Sequence, residues 1–565
     1  MKIKKIFSGC LASLVAFCCI DATTFSKAVS PDEYHNDWLH VNNNAEIVDM
    51  NGNPVWITGC NWFGYNVGSQ VFDGVWSQNM HSMIKQIADH GFNFLRIPMS
   101  TQILLQWMNN EPDPAEPKVN TYANPELSLT GVEGGASKYS FDIWNQAVKW
   151  CRENGIKIMI DIHSAETASA GHQIHLWYTD KYSTEDWCKA LEWFADYYKD
   201  DDTILAIDLK NEPHGTADEP SIMAKWDGTT DPNNWKYAAE TAASRVLAKN
   251  PNLLIMVEGT EVYPKEGNNW SSPNIDYARY PYSYYYHTWW GGNFRGAKEY
   301  PVNLGKYQSQ LVYSPHDYGP LVFKQTWFEG DFTADSLMKD CWYDNWFYLV
   351  DKKISPLLMG EWGGFLDTEH DTDGKNKLWM TYLRDLMIKN HISHTFWCFN
   401  ENSGDTGGLV YDNFGKWDQE KYDFVKPALW QNSDGKFISL DHTIPLGANG
   451  ITLSDYYNGT QTTTSSSQST TATATTTPVA SESSTKSQTS TTKSDTLYGD
   501  VNTDGKIDIS DVVALRRYLV DSDKFPITAK GIINADVQNV GGGINAQDAV
   551  TIQLKIFGSI STLPL

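Results

Sequence analysis

The chain is short of positive charge: 44 lysines and arginines face 69 aspartates and glutamates, a formal net charge of −25 over 565 residues. An excess of that size repels phosphate backbones and anionic lipid, so nucleic acid and membranes are disfavoured as partners, leaving neutral ligands and cations. No hydrophobic run approaches the ~20 residues of a membrane span. Cysteine is sparse and unpatterned. Of the eight present, Cys10, Cys18 and Cys19 lie near the N-terminus, and Cys60, Cys151, Cys188, Cys341 and Cys398 are widely spaced. That odd remainder is neither a disulfide framework nor a metal-ligand cluster. Also missing are a Gly-rich phosphate loop, an H-E-x-x-H pair and a Ser or Cys nucleophile elbow. Phosphoryl transfer, zinc proteolysis and serine-type acyl transfer therefore have no motif, and no cofactor is needed for catalysis.

What is present divides the chain. Lysines at 2, 4 and 5, an apolar run and small residues up to Ala28 read as a secretory signal peptide over 1–28, which predicts a secreted, extracellular protein. Residues 457–495 collapse into Ser and Thr with almost nothing to bury, the composition of a spacer. Two folded parts remain, 29–456 and 496–565. In the first, eight apolar runs alternate with helix-patterned segments, among them "FNFLRIPMS", "IKIMIDIHS", "ILAIDLKNEP" and "PLLMGEWGG". Regular β-then-α alternation predicts a parallel sheet, and eight repeats predict a (β/α)8 TIM barrel with its site at the C-terminal ends of the strands. Long insertions are expected over roughly 100–140 and 262–305.

Those strand ends carry Asn61 and Trp62, Arg96, His163, Asn211 and Glu212, Glu258, His316 and Tyr318, Glu361, and Trp397. Glu212 on the fourth strand and Glu361 on the seventh face each other across the mouth. Opposed carboxylates among Trp, Tyr and His suit hydrolysis of a glycosidic bond, one protonating the departing oxygen and the other attacking or activating water. "YSYYYHTWWGG" in the second insertion has the aromatic density of a sugar platform. Each residue also has a plainer reading: Arg96 as an ion-pair partner, His163 as a structural histidine, Trp62 and Trp397 as core aromatics. Glu258 is the decoy, facing the mouth without a proton or nucleophile duty.

"LKNEPHG" and "LLMGEWGG" resemble the two signatures of glycoside hydrolase family 5, and "FNFLRIPMS", "DIHS", "SPHDYG" and "FWCFNENSGDTGG" fall where that family has its Arg, His, His-x-Tyr and Trp elements. The resemblance is to the cellulase branch. It implies a retaining endo-β-1,4-glucanase with Glu212 as general acid/base and Glu361 as nucleophile, the two carboxyls ~5–5.5 Å apart. It further implies that Asn211 holds the substrate 2-hydroxyl, that His163 and His316 line the cleft, and that Trp397 and Trp62 contact sugar. Arg96 and Tyr318 sit beside Glu361, the arginine keeping it ionised while Glu212 stays protonated. Mannan, xylan or xyloglucan as substrate, and a non-catalytic carbohydrate-binding barrel, are the alternatives.

After the spacer, Asp500, Asn502, Asp504, Lys506 (through its carbonyl), Asp508 and Asp511 take positions 1, 3, 5, 7, 9 and 12 of a calcium loop with Gly505 at 6. A second copy is one residue longer, with Asp536, Asn539, Asn545 and Asp548 as its polar residues. Paired loop-helix units of this kind resemble a dockerin, which implies structural Ca²⁺, a cohesin domain of a scaffold protein as partner, and attachment to a cellulosome.

Overall fold

Aliphatic runs that end in polar residues pair side by side in the computed structural model. They form an eight-stranded parallel sheet of β1 Thr58–Asn61, β2 Phe94–Ser100, β3 Lys157–Ser164, β4 Ile204–Asp208, β5 Leu254–Val257, β6 Leu311–Tyr313, β7 Leu358–Met359 and β8 Ser393–Phe396. Sequential strands are neighbours from β1 to β6, and β8 lies between β1 and β7. The ring closes through isolated parallel bridges, Tyr313 with Leu357 and His316 with Glu361. This is the expected (β/α)8 barrel. The structure describes residues 36–111, 118–129, 140–273, 284–465 and, apart from 521, 523, 539, 541, 542 and 557–559, residues 496–564. Residues 1–28, expected as a signal peptide, and most of the expected spacer lie outside the described residues. The chain divides into two units, Met1–Ser469 and Thr470–Leu565.

Between strands, helices start where polar caps satisfy their free N–H groups. Asn79 accepts from Ser82 N at the head of Met80–Asp89, Ser183 and Asp186 form a capping box on Thr184–Tyr197, and Asn234 accepts from Tyr237 N before Trp235–Lys249. Each helix buries an apolar stripe, such as Met83, Ile84 and Ile87, and each such side chain contributes roughly 1.5–3 kcal/mol. The expected insertions are present. The first includes helix Thr101–Met108, capped by Ser100, and the second carries a hairpin of Val262–Pro264 with Tyr285–His287.

One boundary differs from expectation. Helix Leu453–Ser465 runs straight through the junction placed between 456 and 457. Tyr456 packs on Trp430 with ring centroids 5.2 Å apart, and the Tyr457 hydroxyl donates to the Pro54 carbonyl, so two aromatics at the edge of the Ser/Thr tract belong to the barrel.

A buried ionic knot closes the barrel floor. Lys157, the first residue of β3, is 1% exposed, and its Nζ lies 2.8 Å from Asp37, 3.1 Å from Asp441 and 3.5 Å from Asp202. His442 spans Asp37 (Nδ1, 2.5 Å) and Asp49 (Nε2, 3.0 Å). Segments from both ends of the barrel unit are thereby tied to its base.

The C-terminal unit has helices Ile509–Val520, Ala529–Ala535 and Ala546–Ile556 around a small core of Val501, Val512, Leu515, Val537 and Ile552. Arg516 on the first helix donates to Gln553 on the last at 2.8 Å.

Candidate active site

Alternation along a strand sends every second side chain into the barrel, so the strand ends deliver their polar residues to one mouth. Arg96, fully buried on β2, is the hub. Its guanidinium donates to Glu361 Oε1 at 2.7 Å, Asn211 Oδ1 at 2.9 Å, Asp208 Oδ2 at 3.0 Å, Asn61 Oδ1 at 3.1 Å and Glu258 Oε1 at 3.2 Å, and lies 3.3 Å from Asp161. Burial works against the Arg96 charge, but the surrounding carboxylates outweigh it and hold the group protonated. Tyr318 donates to the second oxygen of Glu361 at 2.6 Å.

Glu212 is fixed differently. Its backbone sits in the left-handed region at φ 51°, and its N–H donates to Glu258 Oε2 at 2.7 Å. Such a conformation costs a non-glycine residue about 1–3 kcal/mol and persists where the surroundings enforce it. Here Gly291 presses close: a Cβ there would lie 2.2 Å from Glu258 Oε2. His316 bridges the groups, with Nδ1 2.9 Å from Glu212 Oε1 and Nε2 3.2 Å from Glu258 Oε1. One ligand atom each of Glu212, His316 and Glu361 lie within 4.8 Å of one another, so the two carboxyls face at that range.

The carboxyls and His316 perturb one another strongly. Burial raises Glu361 above the usual carboxylate range, with His316 and Arg96 pulling against it and the Glu212 charge reinforcing it. Burial acts on Glu212 in the same sense, but the His316 hydrogen bond and charge outweigh it and hold Glu212 low. His316 itself is raised well above an ordinary histidine: burial opposes its charge, and Glu258, Glu361 and Glu212 overcome it. The His316 Nδ1 to Glu212 Oε1 contact couples the two groups, so they titrate together and share a proton along it.

The mouth opens as a cleft of about 1080 Å³. His163 lies in its wall, held neutral as burial lowers it to about 3, with Nδ1 2.6 Å from Asp161. Trp397 stacks on His163 (5.8 Å, 8°) and on Phe63 (5.6 Å, 17°), forming one aromatic wall next to Glu361. Across the cleft, Trp290 stacks on His214 (3.8 Å, 8°), whose Nδ1 lies 2.6 Å from the Glu212 carbonyl.

Residues 48–403 match the model for cellulase (glycosyl hydrolase family 5), and residues 498–556 match the type I dockerin domain. The chain is 46% identical over 541 residues to endoglucanase G of Acetivibrio thermocellus, covering 92% of each. It belongs to glycosyl hydrolase family 5. Endoglucanase B of the same organism is 45% identical, with 88% of each chain covered. Among solved structures, the catalytic domain of the major endoglucanase from Xanthomonas campestris pv. campestris aligns at 29% identity and a TM-score of 0.57, covering 69% of this chain and 99% of that one.

In this family 5 hydrolase the structure brings Arg96, His163, Asn211, Glu212, His316, Tyr318, Glu361 and Trp397 to one mouth. Trp62 is not there. It is fully buried, stacks on Phe72 at 3.9 Å and donates its indole N–H to the Asp73 carbonyl at 2.9 Å. A one-residue step along the chain reverses the side chain, so Phe63 meets the cleft instead. Glu258 is the anchor its decoy status suggested. The sequence reading missed Asp161 and Asp208, the buried carboxylates beneath Arg96; both alternate in phase with His163 and Lys210, a period-two signal that could have found them. It also missed Phe63, Trp290 as a specific residue, and Glu261.

The dockerin loops repeat one geometry. Asp511 Oδ1 accepts from Val501 N and Asn502 N at 2.8 and 3.0 Å, and its Oδ2 from Asp508 N at 2.9 Å. Asp548 does the same with Val537 N, Gln538 N and Asn545 N at 2.9, 2.8 and 2.8 Å. In the first loop Asp500 accepts from Asp504 N and Gly505 N, at 3.0 and 3.1 Å, and Gly505 takes φ 89°, curling Asp500, Asn502, Asp504 and Asp508 through one tight turn. This hard-oxygen, acidic set fits calcium, which the Lys506 carbonyl would complete. The second loop is one residue longer between Asp536 and Asp548, and its Asn539 lies outside the described residues.

Proposed function

We propose that this chain is a secreted endo-β-1,4-glucanase that cleaves internal bonds of cellulose or related β-glucans with retention of configuration. The observation that carries the reading is the approach of Glu212 and Glu361 to within 4.8 Å, with Arg96 and Tyr318 on one and His316 on the other. That range suits attack by a carboxylate; the inverting arrangement needs about 6.5–9.5 Å to admit a water. Glu361, oriented by Arg96 and Tyr318, attacks the anomeric carbon and displaces the leaving sugar. Glu212 protonates the departing oxygen with the proton that His316 Nδ1 shares along their hydrogen bond, then deprotonates the water that releases the glycosyl group. Asn211, its Oδ1 held by Arg96, presents its NH₂ to the sugar 2-hydroxyl. Neutral His163 with Nδ1 turned to Asp161 offers Nε2 as an acceptor. Trp397 supports the sugar that is attacked, and Trp290, on the Glu212 side, supports the sugar that leaves.

Endoglucanases G and B, similar along both the barrel and the dockerin, support β-1,4-glucan as the substrate. Reducing-sugar release from carboxymethyl cellulose, mannan, xylan and xyloglucan in parallel, with the anomer of the first product followed by NMR, tests both parts. Preference for a polymer other than glucan would reassign the substrate, a first product of inverted anomer would remove the nucleophile role of Glu361, and binding without cleavage would make the barrel a lectin-like module.

The dockerin would carry the enzyme to a cohesin on an extracellular scaffold, with calcium holding its two loops. Fewer carboxylates in the second loop mean weaker attraction for the ion. In saturating calcium, Asp504→Ala is therefore expected to lower the melting temperature of the dockerin transition more than Asn545→Ala does, because an ion bound only to the folded form stabilises it. Calorimetric titration of the full chain giving two equally tight sites would contradict this.

A further inference from the structure

Glu261 stands three residues past Glu258, on the leaving-sugar side of the cleft, and has no part in the chemistry above. It is 7% exposed and lines the cleft with Trp290. Its Oε2 accepts the N–H of Gly215 at 2.9 Å, and the Trp290 side chain stands near the same carboxyl. Its carbonyl takes the N–H of Thr288 at 3.1 Å, pinning the segment that carries Trp290. The neighbouring Gly291 sits close enough to Glu212 that a Cβ there would lie 3.5 Å from the Glu212 Cα. Glu261 is thus held at the edge of the Trp290 platform, beside the backbone that follows the proposed acid.

A buried carboxyl is costly unless something uses it. Burial pushes Glu261 up to about 7, against the Gly215 bond, so in mildly acidic solution it both donates and accepts. A β-linked glucosyl ring lying flat on an indole turns its equatorial hydroxyls outward in the plane of the ring, toward the platform's edge. An axial hydroxyl points out of that plane and misses a group placed there.

The geometry points to Glu261 as a specificity-determining residue that hydrogen-bonds an equatorial hydroxyl of the leaving sugar on Trp290. This rests on the hydrolase reading above. The test compares wild type, Glu261→Ala and Glu261→Gln on cellopentaose, whose leaving part is a sugar, and on an aryl β-cellobioside, whose leaving part is not. Glu261→Ala is expected to lower kcat/KM on cellopentaose about ten- to hundredfold, the size of a lost hydrogen bond to a charged or strongly polar group. That loss should exceed the loss on the aryl glycoside by about tenfold or more, and Glu261→Gln, which keeps the bonding edge, should recover most of it. Equal losses on both substrates would make Glu261 a prop for the Glu212 loop, and no loss on either would leave it without a role; both overturn the proposal. A wild-type enzyme inactive on both substrates would instead overturn the hydrolase reading on which it rests. Thermal unfolding of each variant, run alongside, separates a lost contact from a lost fold.

Discussion

Glu361→Gln is expected to remove hydrolysis of every substrate, with kcat falling about 10⁴-fold or more, because no other group can form the bond to the anomeric carbon. Glu361 is surrounded by Arg96 at 2.7 Å and Tyr318 at 2.6 Å, so the amide keeps the shape and much of the hydrogen bonding while losing nucleophilicity. Glu212→Gln should behave otherwise. On polymer the loss is about 10²–10⁴-fold, the worth of general acid catalysis. On an aryl cellobioside with a good leaving group, the first step needs no proton, so a burst of released phenol should precede slow turnover. A small anion such as azide, which needs no general base to attack, should then speed the second step. Stopped-flow absorbance reads the burst directly. Equal and small losses in both variants would remove the assignment of roles.

Lys157→Met is expected to be the most destabilising single change in the barrel unit. It strands Asp37, Asp441 and Asp202, at 2.8, 3.1 and 3.5 Å from the missing ammonium, at the closed floor of the fold. Breaking a buried ion pair by removing one partner costs about 3–5 kcal/mol, since the remaining charge cannot return to water. Denaturant unfolding should show a lower midpoint at neutral pH. The deficit should shrink as pH falls, because protonating the stranded carboxylates removes the buried charge. In wild type the signs are set by neighbouring groups. Burial alone would raise Asp37, but Lys157 and His442 outweigh it and depress it, so its contribution is present above an ordinary aspartate pKa and lost as pH falls through the folded value. His442, raised by its bond to Asp37, contributes fully below the unfolded value near 6.5 and loses that contribution as pH rises through its folded value. His442→Gln should therefore flatten the alkaline side of the stability profile and make the acid side shallower, where Lys157 still holds Asp37 down. A variant Lys157→Met as stable as wild type at pH 7 would show that the knot is incidental.

The residues proposed as catalytic were legible in the sequence because a barrel puts its site at strand ends, and a strand end announces itself where an aliphatic run meets a carboxylate, as at Leu209 to Glu212. What was not legible needed three dimensions. Trp62 and Phe63 are equivalent as letters, and only the turn after Asn61 decides which faces sugar. Arg96 was expected to serve Glu361; that it also holds Asp161, Asp208 and Glu258 follows from a barrel interior too narrow for four acids without one shared cation. The floor knot joins Asp37, Asp49, Lys157, Asp202, Asp441 and His442, which no local pattern relates. The helix across the expected boundary was hidden because Tyr456 and Tyr457 stand at the head of a Ser/Thr tract whose composition dominates any window containing them.

The seam between β6 and β7 gives the barrel a weak stave. Other neighbours share a ladder, whereas these two are laced by the isolated bridges Tyr313 with Leu357 and His316 with Glu361, helped by Gly360 N to the Pro315 carbonyl at 2.9 Å and Asp317 N to the Glu361 carbonyl at 3.2 Å. Glu361, the proposed nucleophile, stands on one side of that seam, and His316, which bonds the proposed acid, stands on the other. A polysaccharide lodged across the mouth would touch both sides and brace the seam for as long as it is bound.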